Sequence, residues 1–416
     1  MSAGKRKGRL ALASVTCAAV VIAMALGTQA SGATATSASA TKCGQSVKYN
    51  VPDSAGFLKT LPANIRAGYD SWPYSVDSTP WSAFKGVKKP WKIGLILDPV
   101  TGPYAQDFLN EFTAQFNAAE KLGLVKGPLV KYILPSYATA TPEQQISAVQ
   151  QMVSEGVNGI VLQPLAGPPL APAIDAAGKA GVPVVMFFND IDQSKYVVNM
   201  WTQNNSPADA ALAGMVKTGN VLVVRGTAGI PVEQAYEDAA VADIAACPGL
   251  HIVGTVYGDF DTTTAKTAVS QWLAAHPTTK ISAVFQNGVM MAGVVEAFQS
   301  AGLHVPPVSD GGCQGGDLSW WLAHKSGYKT AGVCISGNAT AWSTIRVLFR
   351  ILAGDGLKTR DIAVPAPLVT NANLAQFATR GKGLDWAGDP RSPVNGWASD
   401  TFLNSFFKKS GDPANF

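Results

Sequence analysis

Lys92-Ile93-Gly94-Leu95-Ile96-Leu97-Asp98 is a short apolar run closed by an acid. An apolar run without alternation describes a strand buried on both faces, as parallel sheets require. The next stretch, Tyr104–Leu122, puts Phe108, Phe112, Phe116 and Ala119 on one face at helical spacing. The alternation repeats along the chain. Val130–Pro135, Gly159–Pro164, Pro183–Asn189 and Tyr196–Trp201 read as strands; Pro142–Glu155 and Pro169–Ala180 read as helices. After a break near 200 it starts again. Strands at Asn220–Gly226, His251–Gly258, Ser282–Asn287, Val305–Asp310 and Thr330–Ser336 lead to helices at Val232–Ala246, Thr262–Ala275, Met290–Ala301, Asp317–Lys325 and Ala341–Ala353. Repeated βα units imply parallel sheets covered by helices on both faces, and two runs imply two α/β lobes. A length of 416 residues agrees with two domains rather than one.

The flanks differ. Lys5, Arg6, Lys7 and Arg9 precede an uncharged, Ala-rich run, Leu10–Gly27, and small residues follow at Ser31-Gly32-Ala33 and Ala33-Thr34-Ala35. Residues 1–41 therefore read as a cleaved secretory signal; a retained anchor is the competing reading, the run being at the lower limit for a span. Cys17 lies inside the apolar run, a poor lipoprotein signal, so a soluble exported protein is expected, with a lipoprotein as the alternative. The formal charge of +4 comes wholly from that basic start, since Lys+Arg 32 less those four equals Asp+Glu 28. This is not the charge of a nucleic-acid binder. Residues 42–90 carry five prolines interleaved with Tyr69, Trp72, Tyr74 and Trp81, and read as an arm packed on the folded body, because so many exposed aromatics would be costly. Residues 370–416 hold Trp386, Trp397, Phe402, Phe406 and Phe407 without a pattern that places them.

In parallel α/β sheets ligands sit outside the carboxyl ends of the strands. The residues following the strands are Asp98, Gln163, Asn189 and Asp190 in the first run, and Asp259, Phe260, Asn287 and Asp310 in the second, then Ser336 and Asn338. Carboxylates and amides suit vicinal hydroxyls, and aromatic faces suit C–H surfaces; Tyr104 and Phe260 are the stacking candidates. Asp310 competes with a capping or turn role, Asn287 with an Asn-Gly turn, and the two aromatics with plain core packing. Of Trp320 and Trp321, one is expected to face the core and the other solvent or cleft.

No catalytic constellation is found. His251, His276, His304 and His324 have no metal-ligand spacing, and neither a nucleophile elbow nor a phosphate loop occurs. No metal and no cofactor are expected. Cys43, Cys247, Cys313 and Cys334 remain after the signal, and export permits disulfides. Consecutive βα units place their strands side by side, so a Cys313–Cys334 bond is expected, against the rival of two buried thiols. Cys43 and Cys247 are left over, with the pairing of arm to second lobe one option.

Between about 92 and 369 the chain resembles the type I periplasmic sugar-binding proteins of ABC transporters, the ribose-binding-protein group. The matching pieces, in the family's order, are Lys92–Asp98 with Gly102-Pro103-Tyr104; Gly156–Pro164; Ala180–Val185; Gly258-Asp259-Phe260-Asp261; His276-Pro277 through Ala283–Gly288; and Val308-Ser309-Asp310-Gly311. The resemblance implies an α/β fold of two doubly wound parallel-sheet lobes joined by a three-strand hinge. It maps an N-lobe on 91–202 plus 337–365, a C-lobe on 203–336 plus 366–376, and an extension on 377–416. It further implies a non-enzymatic protein that holds a sugar, polyol or similar small polar ligand in the interlobe cleft and delivers it to a membrane ABC permease. A binding protein feeding a membrane sensor is the alternative, and a secreted hydrolase a weaker one. A monomer outside the cytoplasm, periplasmic or extracellular, with no nucleic acid is implied. Asp310 falls at the family's cleft aspartate. The family's arginines are missing: their positions correspond to Asn189-Asp190 and to Gln234 or Tyr236, with Tyr236 kept as a ligand candidate. Loss of those bidentate forks leaves the sugar unspecified.

Overall fold

The computed structural model describes residues 42–411, besides Met1, apart from positions 138, 166, 189–190, 203–204, 229–230, 392 and 394–395. The expected export signal thus lies outside the described residues, as do Asn189 and Asp190. Among the described residues no helix is long and apolar enough to cross a membrane.

In chain order the elements are α1 (Ala63–Arg66), β1 (Ile93–Leu97), α2 (Pro103–Lys121), β2 (Val130–Ile133), α3 (Pro142–Ser154), β3 (Gly159–Leu162), α4 (Gly167–Lys179), β4 (Val184–Phe187), β5 (Val197–Thr202), α5 (Ser206–Val216), β6 (Thr218–Arg225), α6 (Pro231–Ala245), β7 (Gly249–Tyr257), α7 (Thr262–Ala275), β8 (Ala283–Gln286), α8 (Met291–Ser300), α9 (Gly315–His324), β9 (Ala331–Val333), α10 (Gly337–Leu352), β10 (Asp361–Val364), β11 (Leu368–Thr370), α11 (Leu374–Phe377) and α12 (Asp400–Leu403). Local chemistry sets several starts. Thr141 and Gln144 form a capping box on α3 with Pro142 in its first turn, and Asp261 caps α7 by accepting the Thr264 N–H at 2.7 Å.

The first sheet is parallel throughout, in the order β10-β5-β4-β3-β1-β2. Every residue of β1, β3 and β4 is buried, which explains their unbroken apolar runs. The second sheet joins β7-β6-β8 in parallel. Single parallel bridges, Val284 to Val308 and Asp310 to Gly332, carry it on to β9, and β11 closes it antiparallel. Val305–Asp310, read as a strand, thus pairs only through isolated bridges.

The chain passes between lobes three times: after β5, between β9 and α10, and between β10 and β11. At the second passage Gly337 lies against α2, where a Cβ would stand 2.2 Å from the Tyr104 carbonyl oxygen. Only a residue without a side chain lets α10 begin there.

The segment 42–90 runs along both lobes. Its Cys43 is bonded to Cys247 beyond α6, and the Val47 N–H donates to Ser206 Oγ and Asp243 Oδ1, both at 2.9 Å. Farther on, the Tyr69 hydroxyl donates to the Asp361 carbonyl at 2.6 Å, and Trp72 meets Trp201 edge-on at 5.9 Å. Trp81 then donates to the Tyr196 carbonyl at 2.7 Å. The carboxy-terminal stretch also touches both lobes. The Gly388 carbonyl accepts from Gly315 at 2.9 Å at the start of α9, while Asn404 accepts from Arg350 of α10 at 2.9 Å. A second disulfide joins Cys313 to Cys334. Trp320 and Trp321 are both buried in the second lobe, contrary to the expectation that one faces outward. Trp320 stacks on His324 at 4.4 Å and meets Tyr328 edge-on, and both tryptophans join the hydrophobic core of that lobe.

Candidate ligand-binding cleft

One cavity of about 160 Å³ lies where the carboxyl ends of the two sheets face each other. Three neighbouring strands of the first lobe supply its polar group. Asp98 follows β1, Gln163 follows β3 and Tyr137 lies in the loop after β2, and all three line the cavity. Buried Gln145 of α3 ties the group together. Its Nε2 donates to the Gln163 carbonyl at 2.8 Å and reaches Asp98 Oδ1 at 3.5 Å, and its Oε1 accepts the Leu165 N–H at 2.9 Å. Asp98 is 7% exposed, and among the described residues that line the cavity with it there is no lysine or arginine. Burial pushes its carboxyl up to about 8, with Gln145 opposing the shift. Burial and then the Asp98 charge push the Tyr137 hydroxyl up in turn.

Toward the hinge the lining becomes aromatic. Phe188 follows β4 and its ring lies 5.4 Å from that of Tyr104 in the first turn of α2. From the second lobe come Val232 and Tyr236, one helical turn apart on α6, with Phe260 and Val289. Phe188 and Phe260 have φ of 68° and 54°. Two bulky residues in the left-handed region, one from each lobe, cost of order 1–3 kcal/mol apiece, and such strain clusters at ligand clamps. Phe260 sits in a slot between glycines: a Cβ on Gly226 would meet its ring at 2.1 Å, and one on Gly288 at 2.8 Å.

Of the ten residues expected to hold ligand, Asp98, Tyr104, Gln163, Tyr236 and Phe260 line the cavity. Asn189 and Asp190 lie outside the described residues. The other three stand next to the lining, each with one side-chain contact inside the protein, while Asn287 Oδ1 and Asp310 Oδ2 are buried without a hydrogen-bond partner among the described residues. Asn287 donates to Glu233 Oε1 at 2.8 Å, Ser336 Oγ accepts the Ala339 N–H at 2.9 Å as the cap of α10, and Asp310 Oδ1 accepts the Cys313 N–H at 2.7 Å. Gly288, Gly311, Gly312 and Ile335 take the wall positions beside them. Asp310 is wholly buried, which pushes its carboxyl up to about 7, and its Oδ2 has no hydrogen-bond partner. Arg225 is held by Glu233 at 3.1 Å and Glu237 at 2.6 Å, so its charge is spent within the second lobe.

Phe188, Val232, Val289, Ile335 and Tyr137 were not among the residues singled out from sequence. The first four are apolar and carry no mark that separates cleft from core.

Two parallel-sheet lobes, three passages of chain between them and a cavity at the facing strand ends define a type I two-lobe binding protein. The chain belongs to the periplasmic binding protein domain family, which its residues 93–356 match. It is similar to the ribose import binding protein of Bacillus subtilis, at 27% identity over 224 residues, covering 52% of this chain and 68% of that one. Among solved structures it is similar to an ABC transporter solute binding protein from Thermobispora bispora, at TM-score 0.60 and 24% identity, covering 69% of this chain and 87% of that one. A second, from Bacillus halodurans with bound myo-inositol, gives TM-score 0.58 and 17% identity over 70% and 97% of the two chains. At those identities the structural likeness establishes the fold.

Proposed function

We propose that this chain is the exported solute-binding component of an ABC importer. It takes a sugar, polyol or similar small ligand into the interlobe cleft, closes over it and passes it unchanged to a membrane permease. The observation that carries the reading is a cavity built from strand ends of both lobes, with carboxyl, amide and aromatic side chains converging on it. The relatives named for ribose import and solved with myo-inositol support a ligand of that size. Bending at the three passages would bury the ligand and create the surface a permease reads. The protein acts as a monomer outside the cytoplasm and performs no chemistry, with no cofactor involved.

Thermal-shift screening of sugars and polyols, followed by mass analysis of the recovered compound, tests this. A stabilising ligand recovered intact is expected. Chemical conversion of the best ligand by pure protein would overturn the reading.

A further inference from the structure

The end of the first lobe farthest from the cleft is basic. Strand β1 runs toward the cleft at Asp98, so its start at Lys92 lies at the opposite end of the lobe. Three further pieces of chain gather there. The segment before β1 brings Lys85, Lys88 and Lys89 against the end of α10. Its Val87 N–H donates to the Leu352 carbonyl at 2.7 Å, and a Cβ on Gly354 would stand 2.7 Å from the Lys85 carbonyl. The turn after α2 brings Lys121 and Lys126; Trp91 donates to Leu124 and accepts from Lys126, both at 2.8 Å. The chain around residues 406–409 brings Lys408 and Lys409 beside Lys358. The Lys358 N–H donates to the Phe406 carbonyl at 2.8 Å, and Lys408 Nζ to the Ser82 carbonyl at 2.9 Å.

All of these lysines except Lys92 are exposed. The acids at hand are few. Glu155 lies 3.8 Å from Lys92, Asp355 is taken by Arg350 at 3.2 Å, and Glu120 ends the count. Nine lysines and Arg350 against three acids leave an excess of seven positive charges. Residues 10–416 are neutral in sum, so the rest of that chain carries an equal excess of negative charge. Toward β5 and β10 the same end is balanced, because Arg360 is held by Asp77 at 2.8 Å and Asp192 at 3.0 Å.

The ends of α2 and α10 attract cations, but each carries only about half a negative charge. Together they answer about one of the seven. So much like charge in one place repels itself and attracts an anionic partner. The exposed cations are lysines on flexible stems, spread over several pieces of chain. They lack the planar fork with which arginine reads a single phosphate. The ring beneath Lys89 is Trp91, which is fully buried and offers no face on which a nucleic-acid base could stack. Leu122, beside Lys121, is 54% exposed. Ammonium groups around an exposed aliphatic side chain suit the headgroup layer of an anionic bilayer.

We infer that this end of the first lobe docks on an anionic lipid bilayer. The excess negative charge elsewhere holds the remainder of the molecule off the same surface, which fixes its orientation. The cleft, at the other ends of the strands, stays open to its ligand.

Vesicle sedimentation with the purified exported protein at pH 7 tests this. Phosphatidylcholine vesicles holding about 30% phosphatidylglycerol should bind the protein at about 50 mM NaCl, and about 10-fold or more weakly at about 500 mM. Pure phosphatidylcholine should bind it as weakly. The joint change Lys85→Glu, Lys88→Glu, Lys89→Glu and Lys126→Glu should weaken binding by about 10-fold or more, with an unchanged circular dichroism spectrum. Lys280→Glu, Lys325→Glu, Lys329→Glu and Lys382→Glu alter the net charge equally but outside this end, and should weaken binding by less than about 3-fold. If the first Glu set disturbs folding, Gln at the same four positions takes its place, with the same direction of change expected. Equal losses in the two sets would overturn the inference, as would equal binding to both kinds of vesicle. Binding to polyphosphate or duplex DNA without binding to vesicles would overturn it in favour of a polymer partner. Each of these results leaves the cleft's role untouched.

Discussion

Cys43 and Cys247 are bonded to each other across 204 residues of chain, so the segment before the first sheet is fastened to the second lobe. From that anchor the arm passes Trp201 and Asp361 at the hinge and ends on the first lobe at Tyr196. Cross-linking so long a loop restricts the unfolded chain by about 5 kcal/mol in the chain-entropy account, against about 3 kcal/mol for Cys313–Cys334. Paired Cys43→Ser and Cys247→Ser substitutions should therefore lower unfolding stability more than the pair at 313 and 334. Urea titration of the two double variants measures it; the opposite order would contradict the arm's role.

Gly226 keeps Phe260 in its slot. In Gly226→Ala the new Cβ would stand 2.1 Å from the ring as it now lies, so the ring must swing into the cleft. The variant should stay folded and lose ligand affinity at least 10-fold, of order 1.4 kcal/mol. Calorimetry checks this, with affinity unchanged as the contrary result.

Arg360 joins the arm to the hinge. Its guanidinium meets Asp77 at 2.8 Å and Asp192 at 3.0 Å, and lies 3.5 Å from Asp361, which is wholly buried. Arg360→Met would leave a buried carboxylate without its cation, a loss of about 3 kcal/mol or more. The melting temperature should fall by several degrees. A change within experimental scatter would mean that the disulfide, the aromatics and the other hydrogen bonds hold the arm without these ion pairs.

Buried carboxyls should make the protein more stable on the acid side. Burial raises Asp98 and Asp243 to about 8 and Asp209 to about 7. Unfolded, they would ionise near their ordinary value of roughly 4. Between those limits the unfolded chain binds fewer protons than the folded one. Stability contributed by the neutral groups is complete below about pH 4 and is lost as pH rises toward 8. Urea midpoints at pH 5, 6, 7 and 8 should fall in that order, with a shallower slope in Asp98→Asn. Rising midpoints would contradict the assignment.

The fold was legible because strands buried on both faces show as unbroken apolar runs, and Ile93–Leu97 and Val184–Phe187 could scarcely be anything else. The site was legible to the level of the strand end. Asp98 and Gln163 face the cavity, but Asn287 and Asp310, equally well placed by pattern, turn toward Glu233 and toward the Cys313 N–H. Sequence spacing locates the end of a strand and says nothing of which way its last side chain points. Phe188 was hidden for a related reason. It extends the run Val184–Phe187, and only its positive φ, invisible in sequence, takes it off the strand and into the cleft. The carboxy-terminal stretch escaped because irregular chain has no period; buried Trp397, Leu403, Phe406 and Phe407 pack it into the core, and Asn404 accepts from Arg350.

Two lobes that close reversibly on a ligand and release it unchanged should change shape with occupancy. Small-angle scattering on protein stripped of ligand, then saturated with the compound eluted from protein purified from its host, then dialysed, tests it most directly. The account predicts a radius of gyration that falls on saturation and returns on dialysis. Identical scattering profiles in all three states, with binding confirmed by calorimetry, would contradict it.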